Sequence, residues 1–328
     1  MTQILSRKDL LSWLGQLLEN HTLIAPTSTA ETTLFQTITR LEEIVLDFDY
    51  AVLSPKGWFF PATETLFAVE KRNGQTELVP ADIGPETVIF GLHPCDAKGI
   101  ALLDKTFLKT PADAIFQQHR ANTTLVGISC RTACPECFCT SMGGAPDDPS
   151  HLDILLTKVE DSYIVKAVTE KGKALLAGAS IQQSKVTPPP PPSVPEVPAE
   201  GLAEIMQRGF DDPYWSHLAD RCIHCNLCAY VCPTCYCFDV RDYVDKGKAQ
   251  RVRTWESCQS PGFTKIAGGY NPRSTKGARL RQRFYHKLFY FPKEFGSISC
   301  VGCGRCVRAC PVNIDIREVL ADIHKLGV

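Results

Sequence analysis

The sequence predicts an α+β protein in two parts, an N-terminal mixed α/β domain over residues 1–184 and a mainly α-helical domain over 201–328. Three observations predict this. Strand-like apolar runs and helical repeats mix in the first half, and helical repeats and loops dominate the second. Between them runs a proline-rich segment, KVTPPPPPSVPEVPAE, from Lys185 to Glu200. Consecutive prolines remove backbone donors and favour extended polyproline II, so the segment reads as a semi-rigid linker. A docking motif for a proline-binding domain is the lesser reading.

In the first half, Leu10, Leu11, Leu14, Leu17 and Leu18 recur at helical spacing and predict an amphipathic helix over about Ser6 to Glu19. The runs TLIAP, TLFAVE, TVIFGL and TLVGIS read as strands, and DAKGIALLDKTF (Asp96 to Phe107) as a helix. DILLTKV and SYIVKAV flank Glu160-Asp161 and read as a hairpin. In the second half, AEGLAEIMQRG, PYWSHLAD and the closing REVLADIHKLG are helix candidates. The apolar core there is small for its length, so bound metal is expected to help hold it.

The chain has 328 residues, 44% of them hydrophobic, and a formal net charge of −1. That is material for about two domains. No apolar run reaches the roughly 18 residues of a membrane span. Arg7, Lys8 and Asp9 interrupt the first apolar stretch, so no export signal is read there. The near-zero net charge argues against coating nucleic acid. The unusual figure is 16 cysteines. In a chain kept in the cytoplasm such thiols stay reduced, which favours metal binding over a disulfide framework.

Their spacing is informative. Cys222, Cys225, Cys228 and Cys232 precede Pro233, and Cys300, Cys303, Cys306 and Cys310 precede Pro311. Both runs are C-x2-C-x2-C-x3-C-P. In this pattern three thiolates hold one corner of a cubane and the fourth crosses to the neighbouring cluster. Cys222, Cys225, Cys228 and Cys310 are therefore expected to hold one [4Fe–4S] cluster, and Cys300, Cys303, Cys306 and Cys232 a second. Zinc sites are the competing reading, but zinc ribbons show two separated C-x2-C pairs. The second half is thus expected to be a ferredoxin-like dicluster domain. With every iron held by thiolate, the remaining chemistry is one-electron transfer.

An insert, Thr234 to Ser299, separates the two motifs. Within Arg251 to Lys287, positions 251, 253, 265, 273, 276, 279, 281, 283 and 287 are Lys or Arg, against one acid, Glu256. These cations read as a solvated basic face, as cations compensating the anionic clusters, or as a docking face for a protein partner. Nucleic-acid binding is the weakest reading, because no RNA or DNA motif accompanies them. Cys235, Cys237 and Cys258 read as small buried hydrophobes, the alternative being ligands of a further centre.

In the first half, Cys95 lies between a strand and a helix, and Cys130 directly follows another strand, with Cys134, Cys137 and Cys139 in the next loop. Parallel strands present their carboxyl-end loops on one sheet edge, where ligands gather. Cys95 and the 130–139 loop can therefore meet and form a third cluster. A dithiol or half zinc site at Cys134 and Cys137 competes with that reading.

Taken together, PATETLF (61–67), HPCDAKG (93–99), SC-x6-CFCTSMG (129–143), CPTCYCFDV (232–240), WESCQSPGFTKIAGGYNPR (255–273), RLRQRFYHK (279–287) and CVGCGRCVRACPVNIDI (300–316) resemble one family. It comprises the β subunit of cytoplasmic sulfhydrogenases, which are [NiFe] hydrogenases using NAD(P)H, and the iron–sulfur electron-transfer subunit of anaerobic sulfite reductase. The resemblance covers most of the chain. It implies an electron-transfer component of a larger complex, between a flavin (FAD or FMN) NAD(P)H-reductase partner and a catalytic partner, either a [NiFe] hydrogenase or a sirohaem sulfite reductase. It also implies Cys95, Cys130, Cys137 and Cys139 as the third-cluster ligands. Cys134 departs from the family pattern.

No residue reads as a nucleophile or general base, and His93, His224 and His286 read as hydrogen-bonding groups. No Gly-rich dinucleotide fingerprint follows a strand, so nicotinamide and flavin are expected to bind elsewhere. Reduced nicotinamide gives up two electrons together, and a flavin partner would split them. Two rivals stand beside the relay: a sulfur-reducing enzyme using Cys95, Cys134 and Cys137, and an interaction module stapled by inert clusters. Three cubanes would carry about 12 irons per chain and two about 8.

Overall fold

A computed structural model describes residues 1–72, 75–245 and 248–326. Gly327, the last residue of the expected closing helix, lies outside the described residues. The strands are β1 (Thr2–Ser6), β2 (Thr22–Thr29), β3 (Thr32–Thr37), β4 (Thr63–Arg72), β5 (Gln75–Pro80), β6 (Thr87–Leu92), β7 (Thr123–Ile128), β8 (Ile154–Val159), β9 (Ser162–Ala167), β10 (Gln182–Ser184), β11 (Phe238–Asp245) and β12 (Lys248–Trp255).

Eight of them form one sheet in the order β10-β1-β9-β8-β7-β6-β2-β3. Its centre, β2-β6-β7-β8, is parallel. Strands buried on both faces read as continuous apolar runs, and alternate residues here serve opposite faces. Val88, Phe90, Val126 and Ile128 pack on the helix Arg7–Asn20 through Leu10, Trp13, Leu14 and Leu17. Ile89, Leu92 and Leu125 pack on the helices Pro94–Phe107 and Ala114–Asn122 through Ile100, Leu103, Phe107 and Phe116. The Ser6 side chain accepts from the Asp9 N–H at 3.1 Å and caps the first of these helices. The β8–β9 hairpin turns at Glu160-Asp161, as its sequence predicts.

The second half departs from the helical expectation over 238–255. There β11 and β12 form a hairpin that joins β4 and β5 in a four-stranded antiparallel sheet. Charge hides this hairpin in the sequence, because β11 and β12 carry many Asp, Arg and Lys and find their ladder partner far away in the first half. Arg253 fastens the two halves together. Its side chain is buried against the Glu64 and Asp113 carboxylates, and the His119 ring adds a contact to Glu64 at 3.2 Å. Arg253→Ala would leave the Glu64 carboxylate buried without its cation. The expected cost is about 3–5 kcal/mol, read as a lowered denaturant midpoint.

A separate core holds the rest: Leu202, Met206, Trp215, Phe284, Tyr285, Leu288, Val319, Leu320 and Ile323, with Phe138 and Met142 from the first half. Its long element runs from Lys276 to Phe295, with a π-helical turn at His286–Tyr290 between two α-helical segments. Pro292 has no N–H for the Leu288 carbonyl, which favours such widening. Residues 185–199 carry no helix or strand. The Val197 N–H donates to Ser141 Oγ at 2.9 Å, and Val197 and Ala199 lie against this core. Among the described residues no helix is long and apolar enough to cross a membrane.

Candidate metal centres

Cys222, Cys225 and Cys228 form a tight loop between the helix Tyr214–Arg221 and the helical turn Leu227–Tyr230. His224 and Asn226 take positive φ, 53° and 65°, which turns the loop and aims backbone N–H groups inward. The His224 N–H donates to Cys222 Sγ at 3.4 Å, the Ile314 N–H to Cys310 Sγ at 3.2 Å, and the Gln259 amide to Cys228 Sγ at 3.1 Å. Hydrogen bonds to sulfur are one of the means by which a protein tunes a cluster. Cys222, Cys225, Cys228, Cys310 and Cys306 line one pocket, whose apolar walls include Leu280, Phe284 and Ile316. It opens to the surface beside exposed Cys225 and Ile223, the latter 61% accessible.

The other four predicted cysteines of this half lie inside. Cys306 feels the charges of Cys232, Cys300 and Cys303, so the four form one electrostatic group. Lys287, 2% exposed, donates to Cys232 Sγ at 3.2 Å, to Thr234 Oγ1 at 2.9 Å and to the Ser299 carbonyl at 3.2 Å. The hydrogen bond from Cys235, with the Lys287 charge, holds the Cys232 thiol well below its ordinary range. Burial instead pushes Cys300 up to about 11 and Cys306 up to about 12, with Lys287 and Arg283 respectively opposing it.

The third group forms as the parallel sheet edge predicts. β6 and β7 are adjacent and parallel, so Cys95, in the first turn of the helix after β6, meets the loop that follows β7. Cys95, Cys130, Cys134, Cys137 and Cys139 line a second pocket together with Cys303. Cys134, the departure from the family pattern, therefore stands with the other four. Its thiol is drawn down to about 7 by a hydrogen bond from Cys137, whose own thiol rises. Gly302 and Gly304 take φ of 65° and 71°, and a Cβ on Gly302 would stand 2.5 Å from the Phe138 carbonyl carbon. Their absent side chains let the 300–306 loop lie against the 136–139 loop, and the Phe138 N–H donates to the Gly302 carbonyl at 2.8 Å. The buried Arg305–Asp96 pair ties the same 300–306 segment to the helix that carries Cys95.

The basic run of the insert faces inward as much as outward. Arg253, Arg279, Arg283 and Lys287 are buried, while Arg251, Lys265 and Lys276 remain exposed. Arg283, 4% exposed, leaves Nε and Nη2 without a partner. Lys56 is 2% exposed and donates to the Cys235 carbonyl at 3.0 Å and the Ala229 carbonyl at 3.4 Å. Among the described residues none of Lys56, Arg283 and Lys287 has a carboxylate partner. A buried cation needs an anion close by, and thiolates with the negative clusters they carry would be that anion. Among the described residues no three His, Cys, Asp or Glu side chains are drawn together tightly enough for a single metal ion. The two outer groups of thiols instead line pockets, and the residues present fit iron–sulfur clusters. Stripping the iron would leave the three cations uncompensated. The treated chain is expected to melt at lower temperature and to lose hydrogen-exchange protection first at 222–235 and 276–295, while the eight-stranded sheet stays protected.

Sequence reasoning missed Lys56 and Gln259, and it offered compensation of the clusters as one reading of the basic run without singling out Arg283 and Lys287. For the last two a signal existed: Arg279, Arg283 and Lys287 are spaced by four, which places them on one helical face. Lys56 carries no local signal. Of the histidines, His93 stacks on Phe48 at 4.8 Å and the His286 Nε2 meets the Tyr236 hydroxyl at 3.0 Å, whereas both ring nitrogens of His224 are buried without a partner.

Residues 221–314 match the model of the 4Fe-4S dicluster domain family. The chain is 33% identical over 308 residues to sulfhydrogenase 2 subunit beta of Pyrococcus furiosus, covering 89% of this chain and 89% of that protein. No solved structure matches it.

Proposed function

Since the chain belongs to the sulfhydrogenase β-subunit family and is an iron–sulfur electron-transfer protein, we propose that it is the conducting subunit of a cytoplasmic multisubunit oxidoreductase. It stands between a flavin NAD(P)H-reductase partner and a catalytic partner of [NiFe] hydrogenase or sulfur-reductase type. In an anaerobic sulfite reductase the same role would serve a sirohaem partner. One observation carries the reading: the three thiol groups adjoin in a line. Cys306 belongs to the interior group and also lines the first cavity, and Cys303 belongs to the interior group and also lines the second.

Cys222, Cys225, Cys228 and Cys310 would hold the surface cluster, Cys232, Cys300, Cys303 and Cys306 the central one, and Cys95, Cys130, Cys137 and Cys139 the third. Bound there, the clusters supply one-electron transfer. The chain's own residues hold the sulfurs, exclude water with Leu280, Phe284 and Ile316, and place Lys287 and Arg283 as fixed positive charges. Residues 1–184 would form the docking domain that carries the third cluster, 185–200 the linker, and 201–328 the dicluster domain. A second reading, a dithiol enzyme that reduces sulfur, has one observation in its favour, the lowered thiol of Cys134 beside Cys137 in the same cavity.

The test uses the full chain prepared anaerobically. Cys130→Ala/Cys139→Ala is expected to remove about four irons per chain. Given reduced viologen, the wild-type chain alone is expected to turn over neither protons, sulfite nor polysulfide. Unchanged iron in the variant refutes the third cluster, and polysulfide turnover by the isolated chain establishes the enzyme instead.

A further inference from the structure

Three cysteines remain outside these groups, and the structure brings them together. Cys237 is the last residue before β11 and Cys258 follows β12 by three, so both lie at the same end of the hairpin. There Phe238 pairs with Trp255, and the Glu256 N–H donates to the Cys237 carbonyl at 2.9 Å. The two thiols lie close enough to shift one another, Cys237 downward and Cys258 upward. Cys235 lies in the turn after Cys232, where its N–H donates to the Cys232 carbonyl at 3.4 Å, and its charge reaches Cys258.

The surroundings are not those of small hydrophobes. Lys56 is fixed on the Cys235 carbonyl with its ammonium 4.2 Å from the Trp255 ring centre. The charged groups that act on it most are Cys235 and Cys232, then the Lys287 ammonium, then Cys237. Arg283 faces Cys235 and Cys258 as well as Cys228 and Cys306, and two of its nitrogens are unpartnered. Beside Cys258, Gln259 is buried with its Oε1 unpartnered while its amide reaches Cys228 Sγ. Lys287 is matched by the Cys232 thiol. Among the described residues Lys56 and two nitrogens of Arg283 have no carboxylate partner, and both cations lie within electrostatic reach of these thiols.

We infer that Cys235, Cys237 and Cys258 hold a fourth iron–sulfur cluster on three protein thiolates, with Lys56 as its counter-ion. The inference goes beyond the proposed relay and does not depend on it. The three thiols release their protons to the solvent as they bind iron. Through Gln259 the site adjoins Cys228, and through Cys235 it adjoins Cys232, so it would sit beside the line of clusters and next to two of its members.

The experiment compares iron, acid-labile sulfide and electron paramagnetic resonance in full-length wild type, Cys237→Ala/Cys258→Ala and Lys56→Gln, all prepared anaerobically. The wild type is expected to carry about 16 irons per chain rather than about 12. The cysteine variant is expected to lose about four, together with one reducible signal, and to keep the others. Lys56→Gln keeps every ligand, so it should keep all the iron while one signal becomes harder to reduce. It answers the question even if the double variant does not fold. About 12 irons in wild type, unchanged in the cysteine variant, with no signal moved by Lys56→Gln, overturns the inference and leaves the three-cluster relay standing. A wild-type chain with no cubanes at all would instead overturn the relay.

Discussion

Replacing Cys300 by Ala is expected to remove about four irons from the full chain and to cut electron passage between its two ends by more than ~100-fold. Loss of an outer partner of a metal ligand typically costs 10–100-fold, and loss of a ligand itself should exceed that. Cys300 is the most selective position for this test. It belongs to the interior group with Cys232, Cys303 and Cys306, yet lines neither cavity. The thiols around the surface cavity and the Cys95/Cys130/Cys139 cavity are untouched by the change, so both outer sites should keep their iron and their signals. Rapid-mixing reduction from a flavin donor would then fill the site nearest the donor and leave the far one oxidised. If both outer sites still reduce at the wild-type rate, the interior group is not on the route.

Gly302→Ala should separate the two halves of the site without removing any ligand. Its φ of 65° costs an L-residue about 1–2 kcal/mol. The added methyl would also stand within 2.6 Å of the Phe138 and Cys139 backbone, an overpacking term of about 1–3 kcal/mol more. Backbone cannot swing aside as a side-chain tip can. The 136–139 loop must therefore back away, breaking the hydrogen bond from the Phe138 N–H to the Gly302 carbonyl. The expected result is a destabilisation of roughly 2–5 kcal/mol in denaturant together with loss of the third cluster, while the surface cluster is retained. A stable Gly302→Ala chain with all its iron would mean that the two loops are not held in contact.

The legible parts of this protein were those in which chemistry is written locally. Three cysteines at a spacing of three, then a fourth before proline, declare themselves within eleven residues, and the sheet edge that unites Cys95 with Cys130 follows from two apolar runs, each ending in a turn. The helix Arg7–Asn20 was readable for the same reason, with Ser6 as its cap and a leucine stripe behind it. What the sequence concealed depends on distant partners. The β11–β12 hairpin is polar and becomes a sheet only by pairing with β4, so its alternation carried little weight. The excess of basic residues at 251–287 gave the sign of the local charge but not its direction. Arg253 turns inward onto the Glu64 and Asp113 carboxylates and Arg279 onto the Arg273 and Ser274 carbonyls, while Arg283 and Lys287 turn toward the cysteines, where Lys56 joins them from a segment with no motif at all.

A redox titration of the full chain, prepared anaerobically and followed by electron paramagnetic resonance beside metal analysis, weighs the whole account at once. It predicts iron and sulfide in equal amounts, little zinc, and at least three distinct signals that appear and vanish reversibly within the roughly −700 to +450 mV open to such clusters. A zinc-filled chain, or iron centres that stay silent throughout that range, would contradict it.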